Sequence, residues 1–161
     1  MAASFTLEEI LARAYAYLSR RDRTTREMRQ HLRKGAGAEE DVIEAAIAQL
    51  TERGYLDDSR YAQFFVEDRR KLDSWGSERI RRRLLELGID RETVELACRQ
   101  EDDERELIAA LTLLRRRVKL IIPEDPRSKQ RALALLMRRG YPQSVAYDAV
   151  RLFEQETAPA S

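Results

Sequence analysis

The chain has 161 residues, 43% hydrophobic and 37% charged, the balance of amphipathic helices with densely charged outer faces rather than of a disordered chain. That length allows one compact domain or a short array of small units and excludes a large multidomain enzyme. With a formal net charge of +1, any affinity for nucleic acid must come from where the charges lie and not from their total.

Read from the N-terminus, Thr6-Leu7-Glu8-Glu9 has the form of a capping box, a hydroxyl and a carboxylate three residues apart that satisfy the free N–H groups of a first turn. A helix is therefore expected from Leu7. Its apolar positions Leu7, Ile10, Leu11, Ala14, Tyr15 and Leu18 keep helical spacing, and Arg20, Arg21 and Arg23 follow at the end where the helix dipole favours cations. A second box, Thr24-Thr25-Arg26-Glu27, opens a helix that carries Met28 and Leu32 and stops at Gly35-Ala36-Gly37. A third carries Val42, Ile43, Ala46, Ile47 and Leu50 and ends on Gly54. Asp57 or Asp58 caps a fourth whose apolar residues are Tyr61, Phe64, Phe65 and Leu72, and Trp75 with Ile80 forms a hydrophobic staple at the start of a fifth that Gly88 ends. Asp90 caps the sixth, which carries Val94, Leu96 and Ala97. The seventh runs through Leu107, Leu111, Leu114 and Val118 until Pro123; Asp125-Pro126 supplies a cap and a first-turn proline for the eighth, Gly140 closes it, and Tyr141 to Phe153 hold the ninth. The six glycines and four prolines fall mostly at these helix ends, so the tight turns of a sheet protein lack their residues and the fold class is all-α.

The middle helices align without gaps. Met28, Leu32, Ala36, Val42 and Ala45 are followed 52 residues later by Ile80, Leu84, Gly88, Val94 and Ala97, and after the same interval by Ala132, Leu136, Gly140, Ala146 and Ala149. The pattern is a helix–turn–helix repeated three times, although the leading helix of each unit does not keep its offset. It predicts three tandem three-helix, helix-turn-helix-like repeats, at 5–54, 55–102 and 103–156, forming an elongated, curved body, with a disordered tail at 157–161. Such a body suits binding along another polymer better than enclosing a small substrate.

The residue inventory excludes common catalysis. His31 is the only histidine, no Gly-rich phosphate loop or G-x-S-x-G turn occurs, and no catalytic residue, metal site or cofactor is assigned. Asp57-Asp58 and Glu101-Asp102-Asp103-Glu104 stand where helices begin and are read as caps and dipole partners rather than metal ligands. His31, among Arg29, Arg33 and Lys34, is read as a bystander on a helix surface. Cys98, the only cysteine, is read as a small buried hydrophobe, and its solitude excludes an internal disulfide. No apolar run approaches the roughly 20 residues of a membrane span and the first ten residues lack a secretion signal, so no membrane association and a cytoplasmic location are expected.

Arginine is where the sequence is unusual. Arg20, Arg21, Arg23, Arg26, Arg29 and Arg33 form one group; Arg69, Arg70 and Lys71 with Arg79, Arg81, Arg82 and Arg83 a second; Arg115, Arg116, Arg117 and Lys119 a third; Arg138 and Arg139 a fourth. Pairing at helical spacing with Glu27, Glu67, Asp68, Glu78 and Glu86 explains part of this, but the consecutive triplets exceed their nearby acids. A surplus at corresponding places in stacked units forms a stripe suited to nucleic-acid phosphate or to the acidic surface of a protein filament.

Three stretches resemble the RecX family. Leu18-Ser19-Arg20-Arg21 followed by Thr24-Thr25-Arg26-Glu27-Met28 is similar to its opening motif, with Met28 in place of the usual leucine. Leu50 to Ala62, with Gly54, Tyr55, Leu56, Asp57, Asp58, Arg60, Tyr61 and Ala62 in place, is similar to its most specific signature. Gly76 to Ile89, with Ile80, Leu84 and Gly88, resembles a third element, preceded here by Trp75 instead of a small or basic residue. The signature reads first as structure: Gly54 ends a helix, Tyr55 and Leu56 pack the junction, an aspartate caps, Tyr61 enters the core, and Arg60 is left for pairing or binding. The resemblance implies a monomer that lodges in the groove of the RecA–single-stranded-DNA filament and restrains strand exchange and ATP hydrolysis, a role in recombination and DNA repair with at most a weak DNA contact of its own. The residues expected to meet the partner are Arg20, Arg21, Arg23, Arg26, Arg60, Arg69, Arg70, Arg81, Arg82, Arg83, Arg115, Arg116, Arg117, Arg138 and Arg139. The alternatives are a helix-turn-helix transcriptional regulator reading a defined duplex site and a metal-dependent nuclease built on the acidic pairs.

Overall fold

Caps decide where these helices start. The computed structural model describes residues 5–34, 37–99 and 103–158, and the regular elements among them are all helices: α1 (Leu7–Leu18), α2 (Thr25–Lys34), α3 (Glu40–Glu52), α4 (Asp58–Asp73), α5 (Ser77–Glu86), α6 (Arg91–Cys98), α7 (Asp103–Arg117), α8 (Pro126–Arg139) and α9 (Gln143–Thr157). Both capping boxes close: Thr6 N–H donates to Glu9 at 2.8 Å and Glu9 N–H to the Thr6 hydroxyl at 3.3 Å, while Thr24 and Glu27 make the same exchange at 2.9 and 3.2 Å. Asp90 accepts from Thr93 N–H at 2.9 Å, and Asp125 from Arg127 N–H at 3.0 Å with Pro126 as the first residue of α8. Gly54, Gly88 and Gly140 take φ of 78°, 84° and 86° after α3, α5 and α8, the left-handed conformation that ends a helix most cheaply without a Cβ.

The chain divides into two compact units. The first combines the residues up to Phe64 with Leu84–Val94, and the second combines Phe65–Arg83 with the residues from Glu95 on. In the first, α1, α2 and α3 pack together around Ile10, Met28, Leu32, Ile43, Leu50 and Leu56. In the second, α7 and α8 pack on α9 around Leu114, Leu136, Tyr141, Ala146, Val150 and Phe153. Each large side chain in these cores contributes about 1.5–3 kcal/mol by leaving water. Cys98 is fully buried, and burial pushes its thiol pKa up, as expected of a small hydrophobe.

Successive repeats are joined by polar groups at helix ends. At the start of α2 the Thr24 hydroxyl donates to Leu87 O at 2.9 Å, and a Cβ on Gly88 would overlap the Arg26 stem. At the start of α5 the equivalent joint is made by backbone: Gly76 N–H donates to Arg139 O at 2.7 Å, Glu78 N–H to Gly140 O at 3.0 Å, and a Cβ on Gly76 would overlap Gly140 and Tyr141. A second contact recurs beside each joint. The first residue of α2, Thr25, donates its N–H (2.8 Å) and hydroxyl (3.1 Å) to Asp58; the first residue of α5, Ser77, donates its N–H (2.6 Å) and hydroxyl (2.9 Å) to Glu106. In both cases a carboxylate from the first turn or so of the next repeat satisfies orphan donors at a helix N-terminus. Asp57 is the cap of α4, accepting from Arg60 N–H at 2.9 Å, which leaves Asp58 for this clamp.

Several expectations need correction. The apolar residues of α4 do not form one buried face: Phe64 and Leu72 are 55% and 71% exposed, Tyr61 is half-buried, and the residues that turn inward are Ala62 and Val66. Leu96 of α6 is likewise exposed, and Val94 with Cys98 carries the burial. α7 stops at Arg117, before Val118 and well short of Pro123, and Ile121 in the following non-helical segment joins the core. The ninth helix begins at Gln143, two residues past Tyr141. In the first repeat, Ile43, Ala46, Ile47 and Leu50 are buried whereas Ala45 is exposed, so Ile43 and Ile47 take the places of Val94 and Cys98, one residue later than a gapless alignment puts them. Residues 35, 36, 101, 102 and 159–161, which carried part of the turn, acidic-run and tail expectations, lie outside the described residues.

Candidate functional site

Each arginine's partner decides whether it can serve a second molecule. In the first unit Arg21 bonds Glu27 at 2.7 Å, which holds its pKa above the usual value, and Arg23 lies 4.0 Å from the same carboxylate. Arg23 also stacks its guanidinium on Tyr17 at 3.8 Å, and His31 lies parallel to that ring at 3.8 Å, so the phenol is held between a cation and an imidazole. His31 is thus a packing residue. Burial, then Arg13, Arg23 and Arg20, push its pKa below the ordinary value. Arg60, expected to be left for binding, donates to Gly54 O at 2.8 Å and closes the end of α3. Tyr55 is 52% exposed with its ring edge-on to Tyr15 at 5.2 Å, whereas Leu56 is buried. Burial raises the pKa of half-buried Tyr61, with Glu27 adding to the shift. Arg20 and Arg26 are exposed.

In the second unit Arg69 pairs with Asp73 at 2.5 Å and places its guanidinium 5.7 Å from the Trp75 ring, which Arg79 covers at 4.1 Å. Arg81 reaches Glu95 at 3.3 Å, Arg115 makes a two-pronged bond to Glu156 at 2.5 and 3.0 Å, and Arg139 donates to Asp73 O. Arg70 is half-buried; burial lowers its pKa and Glu106 opposes that shift. Tyr141 donates its phenol to Ser74 O at 3.1 Å, and burial, then Glu106, push its pKa up to about 12. Arg83 is exposed and has a partner of its own. Arg82, Arg116, Arg117 and Arg138 are exposed, with no ion-pair partner among the described residues.

Two concave places gather cations. A cleft of about 270 Å³ between α4 and α7 is lined by Arg70, Lys71, Arg105 and Arg116, with Trp75, Tyr141 and Glu106 among its other walls. A wider groove of about 400 Å³ between the end of α7 and α8 is lined by Arg117, Lys119, Arg131 and Arg138 over Val118, Leu120 and Leu135. No carboxylate lines the groove, and Asp125 reaches Arg131 from outside it at 3.5 Å. Concave walls of low dielectric concentrate the field of such like charges and raise the local concentration of anions. Arg105 and Arg131 belonged to none of the consecutive basic groups. Their signal was periodic: Arg105, Ala109, Thr112 and Arg116 repeat at one-helix-face spacing, as do Arg131 and Arg138. Among the described residues no group of three or more His, Cys, Asp or Glu side chains is placed to hold a metal ion, and no helix is long and apolar enough to cross a membrane.

Three family models match in tandem: RecX, first three-helix domain, over residues 11–50; second three-helix domain over 57–97; and third three-helix domain over 103–150. A regulatory protein RecX of Thermus thermophilus is 36% identical over 148 residues, covering 92% of this chain and 94% of that protein. The chain belongs to the RecX family. The regulatory protein RecX of Amycolatopsis mediterranei is 30% identical over 135 residues, covering 83% of this chain and 77% of that one. A crystal structure of RecX from Lactobacillus salivarius superposes with a TM-score of 0.80 at 21% identity, covering 92% of this chain and 97% of its own, a likeness of fold. A second crystal structure of regulatory protein RecX gives 0.72 at 25% identity over 90% of this chain and 73% of its own. The RecX second-domain match opens at Asp57, the α4 cap, and takes in Asp58 and Ser77, one partner from each interrepeat clamp.

Proposed function

We propose that this chain binds the assembled RecA–single-stranded-DNA filament as a monomer and restrains strand exchange and ATP hydrolysis, acting by occupancy and without bond-making of its own. The observation that carries the reading is kinship over 92% of the chain to a protein named regulatory protein RecX. Exposed cations support it. Arg82, Arg117 and Arg138 present guanidinium groups suited to carboxylates or phosphates of a polymeric partner, and the repeats 5–54, 55–102 and 103–156 would each contribute a weak contact. Weak contacts tethered on one chain add through effective concentration, so an assembled filament is favoured over a single subunit.

A pull-down with RecA alone, with RecA and single-stranded DNA, and with both plus a slowly hydrolysed nucleotide tests the reading. Retention confined to the assembled states is expected; equal retention by free RecA overturns it. Reversing charge at Arg82, Arg117 and Arg138 together should weaken inhibition of strand exchange while leaving the fold intact. Arg81 is a poorer choice because its pairing with Glu95 ties it to α6.

A further inference from the structure

The groove between the end of α7 and α8 has a composition that the fold does not require. Arg117 and Lys119 come from one side and Arg131 and Arg138 from the other, and all four are exposed. Arg117, Lys119 and Arg138 have no ion-pair partner among the described residues, and Arg131 reaches Asp125 only at 3.5 Å with its side chain 73% exposed. Between these cations the lining is aliphatic: Val118, Leu120, Ala132 and Leu135. Leu120 is 49% exposed and Ile122 45%, although Ile121 between them is buried in the core. The non-helical segment that carries them is pinned. Ile121 anchors it, and Ile122 N–H donates at 3.0 Å to the buried Ser128 hydroxyl, which donates on to Asp125 O at 2.8 Å. A wall already held in place needs little further ordering when a ligand arrives.

We propose that this groove docks a short acidic segment of a protein partner, one in which leucine-like side chains lie between carboxylates. Arg131, Leu135 and Arg138 share one face of α8, with the two arginines about 10 Å apart along its axis. The order to be matched is therefore charged, apolar, charged. Carboxylates meet the guanidinium groups in paired hydrogen bonds, aliphatic side chains cover Leu120 and Leu135, and no carboxylate lines the groove to repel an acidic ligand. Nucleic acid fits poorly, since no aromatic ring lines the groove for bases to stack on and phosphates would leave the leucines uncovered. A second copy of this chain fits no better, because groove against groove sets four cations against four. The inference rests on the filament reading for there being a protein partner, and adds the chemistry of the segment and the place that takes it.

The test is fluorescence anisotropy of a labelled twelve-residue peptide of glutamate and leucine in equal numbers, titrated with the full chain. RecA and DNA are both left out, so this inference and the filament reading can fail separately. Saturable binding is expected, and replacing every leucine of the peptide by serine should weaken it at least ~10-fold. Lys119→Glu combined with Arg131→Glu should weaken binding of the leucine peptide at least ~10-fold. Leu120→Ser should weaken the leucine peptide at least ~3-fold while leaving the serine peptide within about twofold, a split that charge alone does not produce. A control with the same net charge change as the double variant, Arg20→Glu with Arg91→Glu, both exposed and outside the groove, should stay within about twofold of the parent. Circular dichroism establishes that each variant is folded. The proposal is overturned if the double variant binds like the parent, if the control loses as much, if the serine peptide binds as tightly as the leucine peptide, or if oligothymidylate at equal charge displaces the peptide as well as unlabelled peptide does.

Discussion

Glu106 is the residue whose removal should cost the second unit most for the fewest atoms lost. It is 6% exposed, and its carboxylate accepts the N–H and hydroxyl of Ser77 at 2.6 and 2.9 Å at the start of α5. Glu106→Ala orphans a buried N–H, worth about 1–3 kcal/mol, and removes hydrogen bonds to a charged acceptor worth about 1.5–3 kcal/mol each, quantities that overlap. It also withdraws the negative charge that opposes the burial of Arg70. A loss of about 3–4 kcal/mol is expected. Glu106→Gln keeps an acceptor for the Ser77 N–H and should lose about 1–2 kcal/mol. Trp75 is the only tryptophan and belongs to the second unit, so its fluorescence in a urea titration reports that unit directly. Alanine and glutamine variants with midpoints equal to each other, or an alanine variant within about 0.5 kcal/mol of the parent, would refute the clamp.

Other consequences are sharper in comparison than alone. Gly54→Ala meets open space and suffers only the left-handed φ, a loss of about 1–2 kcal/mol, whereas Gly76→Ala must push apart the backbone at Gly140 and Tyr141 and should lose more, with its midpoint further below the parent's than that of Gly54→Ala in urea titrations followed by circular dichroism. Phe64→Ser and Leu72→Ser should each change stability by no more than about 0.5 kcal/mol, since both side chains are mostly exposed, while Val66→Ala loses at least ~1 kcal/mol. Because the His31 pKa is lowered in the fold, the unfolded chain binds a proton near pH 6.5 that the folded chain resists. The stability it contributes is therefore complete above about pH 6.5 and declines below it. His31→Gln should flatten the urea midpoint between pH 7.5 and 5.5, and an unchanged slope would count against the Tyr17 stack. Below about pH 4.3 a separate loss begins, because the Arg29 bond holds the Glu44 carboxyl under its usual range.

Much of the fold was legible because helix ends are written locally. Thr6 with Glu9, Thr24 with Glu27, Asp90, Asp125 with Pro126, and the glycines at 54, 88 and 140 each act through neighbours a few residues away, where spacing alone fixes the chemistry. The joints were not legible, since Ser77 and Glu106 are 29 residues apart and nothing in either neighbourhood marks them as partners. The inward face of α4 was also hidden: its buried residues are Ala62 and Val66, and alanine advertises no face by itself. Among the basic residues, runs of arginine pointed to the right helices but not to the right side chains. Arg115 and Arg116 are adjacent in sequence, yet one is held by Glu156 and the other opens into the cleft.

That sorting of arginines explains how a chain with almost no net charge can still present cationic surfaces. The carboxylates are used internally: Glu27 holds Arg21, Glu44 holds Arg29, Glu40 holds Arg33, Glu95 holds Arg81 and Glu156 holds Arg115, while Asp58 and Glu106 serve helix N-termini. Each acid spent on a guanidinium cancels its charge locally, but each spent on backbone N–H and hydroxyl groups leaves an arginine elsewhere unneutralised. Asp58 and Glu106 therefore do two things at once, joining repeats and releasing positive charge to the surface. The third repeat carries Lys129 at the position of Thr25 and Ser77, where it pairs with Glu154 instead of forming a clamp. Of its other cations, Arg117, Lys119, Arg131 and Arg138 line the α7–α8 groove, so charge reversal there should alter partner binding far more than it alters stability.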